Sequence, residues 1–184
     1  MESFSLEKNG DKLKLAIYVH DFRLEIGHSN ALIELLRHLP RKKQEEITDI
    51  EIVSQIATPL HELFPSYKGR LKWTKVPLGG MKPALFNSIF FHLWTIFYNN
   101  FFQKNKPYRI GVGACCFAVD ASSVQFIQYQ WTENGLILER NNMLKFIYKK
   151  ILFSYYEWCE DQIYQSKKIK VFTAAKFLTE GSIP

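Results

Sequence analysis

Short β-prone runs alternate with stretches of helical period along this chain, and that alternation narrows the fold more than any other feature. Residues 13–19, LKLAIYV, are a continuous apolar run between charged neighbours, the signature of a strand buried on both faces. A polar loop from His20 to His28 follows, with Gly27 near its end. Ser29 or Asn30 then caps a predicted helix over residues 31–39, with Leu32, Leu35, Leu36 and Leu39 on one face. Residues 49–57, DIEIVSQIA, read as a second strand, and residues 71–76, LKWTKV, as a third at an edge. Further strands are predicted at residues 109–114, 124–131 and 169–172, with a second long helix over 141–165 and a helix starting at 174. The stripe of that second helix is Leu144, Ile147, Tyr148, Ile151, Leu152, Tyr155, Trp158 and Cys159.

The arrangement is that of an α/β protein: a Rossmann-like three-layer α/β/α sandwich around a mostly parallel sheet of about six strands. A single such domain is expected over residues 13–184, after an N-terminal tail of residues 1–12. In sheets of this kind ligands sit beyond the carboxyl ends of the strands. That rule singles out residues 20–28, 77–80, 114–123 and 130–135.

Composition excludes disorder: 47% of residues are hydrophobic, with 15 Phe, 9 Tyr and 4 Trp. The net charge of +6 is moderate; it suits phosphate-rich or anionic-membrane partners without requiring them, and nucleic acid is not among the expected partners. Three cysteines, two of them the adjacent Cys115 and Cys116, make no disulfide framework and no metal-ligand spacing. No metal or cofactor is expected. A polar start without an apolar core argues against an export signal and for a cytoplasmic chain.

Residues 84–102, ALFNSIFFHLWTIFYNNFF, approach the length of a membrane span but are interrupted by polar residues. Ser88, His92, Thr95, Asn99 and Gln103 fall at helical spacing and form one polar stripe; Phe86, Phe90, Trp94, Phe97 and Phe101 occupy the other faces. The pattern fits a helix packed by its wide apolar face on the sheet. It also fits a helix half sunk in a membrane interface, which would make the chain peripheral at the inner face of a membrane.

Several motifs start and then fail. Gly111-Val112-Gly113-Ala114-Cys115-Cys116 begins like a dinucleotide fingerprint but has a cysteine in the third glycine place; close strand packing explains it better. His61-Glu62-Leu63-Phe64-Pro65 opens like a zinc helix, with Pro in the second His place. There is no P-loop and no G-x-S-x-G elbow. Cys115 reads as a small buried residue rather than a nucleophile. The loop before the first helix is more informative. Gly27 precedes free N–H groups that favour an anion, and Arg23 and His28 add positive or hydrogen-bonding groups; an ordinary capped connector is the alternative.

The order of segments resembles the N-terminal, acceptor-side domain of two-domain (GT-B) glycosyltransferases, especially the large retaining family 4. The matching pieces are the first strand, the loop Ile26-Gly27-His28-Ser29, the helix after it, the strand predicted at 124–131, and Lys170-Val171-Phe172-Thr173-Ala174-Ala175-Lys176-Phe177-Leu178. The resemblance implies transfer of a sugar from a nucleotide-sugar donor, held by a C-terminal domain not contained in this chain, to a lipid-linked or saccharide acceptor. It implies acceptor or phosphate binding by Gly27, His28 and Arg23, and stacking of Trp131 on a sugar. Gln130 occupies the slot of a family histidine, and Asp120 is the other candidate catalytic residue. Gln130 cannot shuttle a proton, though it can hydrogen-bond a hydroxyl. Ala175 stands where the family has a serine. The chain alone is therefore expected to be inactive. A non-catalytic Rossmann-like binding module remains the alternative, and a dinucleotide oxidoreductase fragment a weaker one.

Overall fold

A computed structural model of the chain describes residues 13–38, 45–80, 82–103, 106–124, 132 and 142–173. In chain order the elements are β1 (Leu13–Tyr18), β2 (Asp21–Phe22), α1 (Gly27–Arg37), β3 (Ile47–Ser54), β4 (Ile56–Ala57) and α2 (Leu60–Leu63). There follow β5 (Arg70–Lys75), α3 (Ala84–Phe101), β6 (Tyr108–Val112), β7 (Ala121–Val124), α4 (Met143–Tyr164) and β8 (Lys170–Thr173). Six strands form one sheet in the order β5-β3-β1-β6-β7-β8, and every ladder in it is parallel. Ranked by chain position these strands run 3-2-1-4-5-6, the doubly wound order of dinucleotide-binding sheets. The expected α/β sandwich is what the chain forms, with β5 at an edge as LKWTKV suggested.

β1 shows why the first apolar run is continuous. Leu15, Ile17 and Val19 enter one core with Leu32 and Ile33 of α1 and Leu60 and Leu63 of α2. Ala16 and Tyr18 enter another with Val53, Phe91 of α3, Cys115 and Cys116. Both faces of the central strand are covered, so neither residue parity can be polar.

Four expectations need correction. α1 starts at Gly27, not after Ser29 or Asn30: Ile26 is its N-cap, without a side-chain cap. The Ser29 hydroxyl instead donates to the Asp21 carbonyl, anchoring the helix start to the loop. The fifth strand begins at Ala121, inside the segment read as a loop; all four of its residues are buried, and the Ser122 hydroxyl is satisfied by the Gly113 carbonyl at 2.8 Å. The rest of the predicted 124–131 strand, like the helix expected from 174, lies outside the described residues. On α4, Leu144, Ile147, Ile151 and Trp158 of the predicted stripe are exposed, while Leu152, Phe153, Cys159, Glu160 and Ile163 face inward.

The fourth correction concerns α3, which packs with its polar stripe inward. Ser88, His92 and Thr95 are buried, while Phe86, Leu93, Phe97 and Phe101 are exposed. Hydrogen bonds account for this orientation. Ser88 meets the Tyr156 hydroxyl at 3.0 Å. Thr95 donates to the His92 carbonyl at 2.9 Å. The Asn99 amide donates to the Ala118 carbonyl at 3.0 Å and its oxygen accepts from the Tyr18 hydroxyl. Gln103 donates to that same hydroxyl at 2.9 Å. Buried polar groups with partners are cheap to hold, and without them costly.

Candidate functional site

The strand order places a crevice between β1 and β6. The connection leaving β1 runs toward β3, and the one leaving β6 toward β7, so the two loops part at the carboxyl end of the sheet. A cavity of about 250 Å³ lies there, lined by Val19, His20, His28, His92, Val112, Gly113, Ala114, Cys115, Tyr156 and Glu160. A depression of about 290 Å³ near the amino ends holds more charge, most of it paired within it: Lys72 with Glu51 at 2.7 Å and Arg70 with Asp49 at 2.8 Å, with Lys14 beside them.

Each wall of the cavity follows from its local sequence. His20 comes two residues after β1, where its carbonyl accepts from the Gln55 N–H at 3.0 Å. The short β2–β4 ladder keeps the two loops side by side, and the His20 ring lies on Phe91 with centroids 4.2 Å apart. Gly113 ends β6 at φ +62°, a left-handed conformation that suits glycine. Gly111 sits against Val119, where a Cβ would come to 3.4 Å of that side chain. Strand packing and a turn thus account for the broken glycine fingerprint.

Three histidines face this cavity, and burial lowers the pKa of each. For His20 the value falls to about 4, with the nearby His92 as the next cause. For His28 and His92 burial is again the first cause. All three are neutral imidazoles at neutral pH. His92 is fully engaged: Nε2–H donates to the Ala114 carbonyl at 2.9 Å, and Nδ1 accepts from the Tyr155 hydroxyl. His20 is not. Its Nδ1 is buried and has no hydrogen-bond partner among the described residues. Among the described lining residues Glu160, buried, is the only acid, and none of them is a Lys or Arg. Burial pushes the Cys115 thiol well up, and Sγ donates to the Tyr18 carbonyl at 3.0 Å, so it is a structural thiol.

The residues singled out from sequence divide between the two ends of the sheet. His28 lines the cavity. Gly27 is exposed beside it at the start of α1; its φ is not left-handed, and a Cβ there would meet nothing within 4 Å. Arg23 is in the same loop, but its guanidinium is held by Asp21, with Nε 2.7 Å from Oδ1. Asp120 is elsewhere. It immediately precedes β7 at the amino end of the sheet, where its carboxylate accepts from the Arg109 backbone N–H at 2.8 Å and from the guanidinium at 2.9 and 3.1 Å. Its own N–H and carbonyl bridge to Arg109 and Lys170. It ties three strands together and is not brought near His28. Gln130 and Trp131 lie outside the described residues.

Sequence reasoning did not single out His20, Tyr156 and Glu160. One signal was available for the site: a buried-strand run ending directly in a histidine. Comparison with protein-family models, curated proteins and solved structures finds no match to the chain.

Proposed function

We propose that the chain is an acceptor-side glycosyltransferase domain whose switch-point cavity holds a hydroxyl-bearing ligand, a sugar or the sugar-like end of an acceptor. The observation that carries this reading is the Nδ1 of His20, unpartnered among the described residues, in a cavity to which those residues bring no Lys or Arg. A buried polar atom left unsatisfied costs roughly 1–3 kcal/mol, a cost that a ligand hydroxyl would relieve. A neutral imidazole and a carboxylate together accept and donate as a polyol requires, and the described lining residues include no Lys or Arg, which a phosphate would favour. A pKa of about 4 makes His20 a hydrogen-bonding partner at neutral pH rather than a proton shuttle. In this reading the nucleotide-sugar donor is held by a second domain, and the transferred sugar arrives at the carboxyl edge of this sheet.

The test is binding. Histidine side-chain signals are followed by NMR while mono- and disaccharides are added, with UDP and GDP in parallel. Saccharides should shift the His20 and His92 signals, and the His92 shift should disappear in His20→Ala, whereas the nucleotides alone should shift neither. Silence from every saccharide would overturn the reading. A second reading, a binding module without catalysis, is favoured by the position of Asp120 far from the cavity. Saccharide binding without transfer, even when a donor-binding domain is supplied, would select it.

A further inference from the structure

The hold on His20 centres on Gln55, a buried residue that directly follows β3. The Gln55 N–H donates to the His20 carbonyl, and the Gln55 side chain hydrogen-bonds the His20 ring. That amide is locked in turn by Asn87 of α3 in a reciprocal pair. Gln55 Nε2 donates to Asn87 Oδ1 at 2.7 Å, and Asn87 Nδ2 donates back to Gln55 Oε1 at 2.9 Å. One turn along the same helix, Phe91 lies against the imidazole. Residues 77–80, one of the four places singled out from the sequence, close over the stem of Gln55. A Cβ on Gly79 would come to 2.8 Å of the Gln55 Cβ, so the close approach requires a glycine.

A neutral imidazole has one N–H and one bare nitrogen, and the hydrogen bond made by one fixes the other. Nδ1 has no partner among the described residues, so the nitrogen that meets Gln55 is Nε2. The contact favours the protonated ring, as an accepting oxygen does. Gln55 Oε1 has two lone pairs, one for the Asn87 amide and one for Nε2–H. With the amide turned over, Nδ1 would carry a buried N–H without an acceptor, the rarer kind of orphan. We infer that Gln55, held by Asn87, is a positioning residue that fixes His20 as the Nε2–H tautomer and leaves Nδ1 a bare acceptor in the switch-point cavity. The site then chooses its ligand by a donated proton. An O–H or N–H group is taken, and an ether oxygen in the same place is refused, because lone pair would face lone pair. The identity of the ligand rests on the saccharide reading; the tautomer exists without any ligand.

The experiment is proton–nitrogen NMR of the histidine rings of the full chain at neutral pH, which tells a protonated ring nitrogen from a bare one. Natural His20 should show Nε2–H and a bare Nδ1. Gln55→Leu removes the accepting oxygen, and Asn87→Leu frees the amide to turn. In both, the ring should exchange between tautomers, and its Nδ1 signal should move toward the protonated position. Asn87→Asp keeps an oxygen for the Gln55 Nε2–H and should hold the natural tautomer. With the tautomers evenly populated the competent fraction is halved, so saccharide affinity should fall about twofold in the leucine variants. Asn87 is only half-buried, so its variants keep the test decisive if Gln55→Leu does not fold. Glucose and maltose should shift the His92 signal, and their fully O-methylated forms should not. Nδ1–H in the natural chain, a tautomer that neither leucine variant moves, or an O-methylated sugar that binds as tightly as its parent overturns the inference. The expected tautomer with no response to any saccharide supports the positioning role and overturns the saccharide reading alone.

Discussion

The imidazole of His20 makes stability depend on pH between its unfolded and folded protonation ranges. An unfolded chain protonates its histidines near 6.5, whereas folded His20 does so near 4. Between those values the unfolded state binds more protons, so stability rises with pH there. It is complete above the unfolded value and drains away as pH falls toward the folded one. Each tenfold difference in proton affinity is about 1.4 kcal/mol, which makes His20 responsible for about 3 kcal/mol between roughly pH 7 and 4. His28 and His92 act in the same direction. Glu51 acts lower: burial pushes its carboxyl up, but hydrogen bonds from Lys72, Thr74 and Tyr98 bring it below the usual 4.5, so its contribution is lost only in stronger acid. The assay is urea unfolding at several pH values for the natural chain and for His20→Gln, which puts an uncharged amide in place of the imidazole, itself hydrogen-bonded by the Gln55 side chain. The variant should lose far less stability on acidification, flatter by about 3 kcal/mol over the window. Identical curves for the two proteins would refute the assignment of a buried, neutral His20.

Gly27→Ala tests whether that glycine serves the fold. With helical φ and open space for a Cβ, the change should be neutral or stabilising by about 0.4–1 kcal/mol, read as a thermal midpoint that holds or rises. Gly27→Val should likewise leave the midpoint largely intact; loss of saccharide binding in that variant would show that a ligand comes close to the loop, and unchanged binding would make the loop a connector. Asp120→Asn removes the negative charge and one of the two oxygens that accept from Arg109, and should cost about 1–3 kcal/mol in denaturant unfolding while leaving binding at the cavity unchanged. Turnover of a nucleotide-sugar donor by this chain alone at an ordinary enzymatic rate would contradict the need for a donor-binding domain.

The sheet was legible because its central strand cannot hide. LKLAIYV has no polar parity, which announces a strand covered on both faces, and LKWTKV alternates as an edge strand does. Ala121–Val124 was not legible. Its serines look like loop residues, and only the Gly113 carbonyl that receives Ser122 makes them suitable for a core. The stripes of α3 and α4 were visible, but not which way they turn. An apolar face is assumed to point inward, whereas here tyrosines 18, 155 and 156, together with loop carbonyls, supply partners for the polar side of α3. Partners distant in sequence cannot be read from a helical repeat. For the same reason Asp120 looked catalytic: its arginine is eleven residues away on the neighbouring strand.

The strand order also sets how the protein must assemble. β5, β3 and β1 belong to one half of the sheet and β6, β7 and β8 to the other, and a single ladder, with Leu15 beside Tyr108, joins them. That seam closes a very long loop, so on entropic grounds it forms late in folding. The cavity opens on this same seam, with His20 and His28 from one half and Gly113 and Ala114 from the other. A ligand seated there touches both halves and has no equivalent place on a chain whose halves are still apart. Binding therefore acts as a clamp across the seam between the two halves, slowing its opening and protecting the amides of β1 and β6 from hydrogen exchange together.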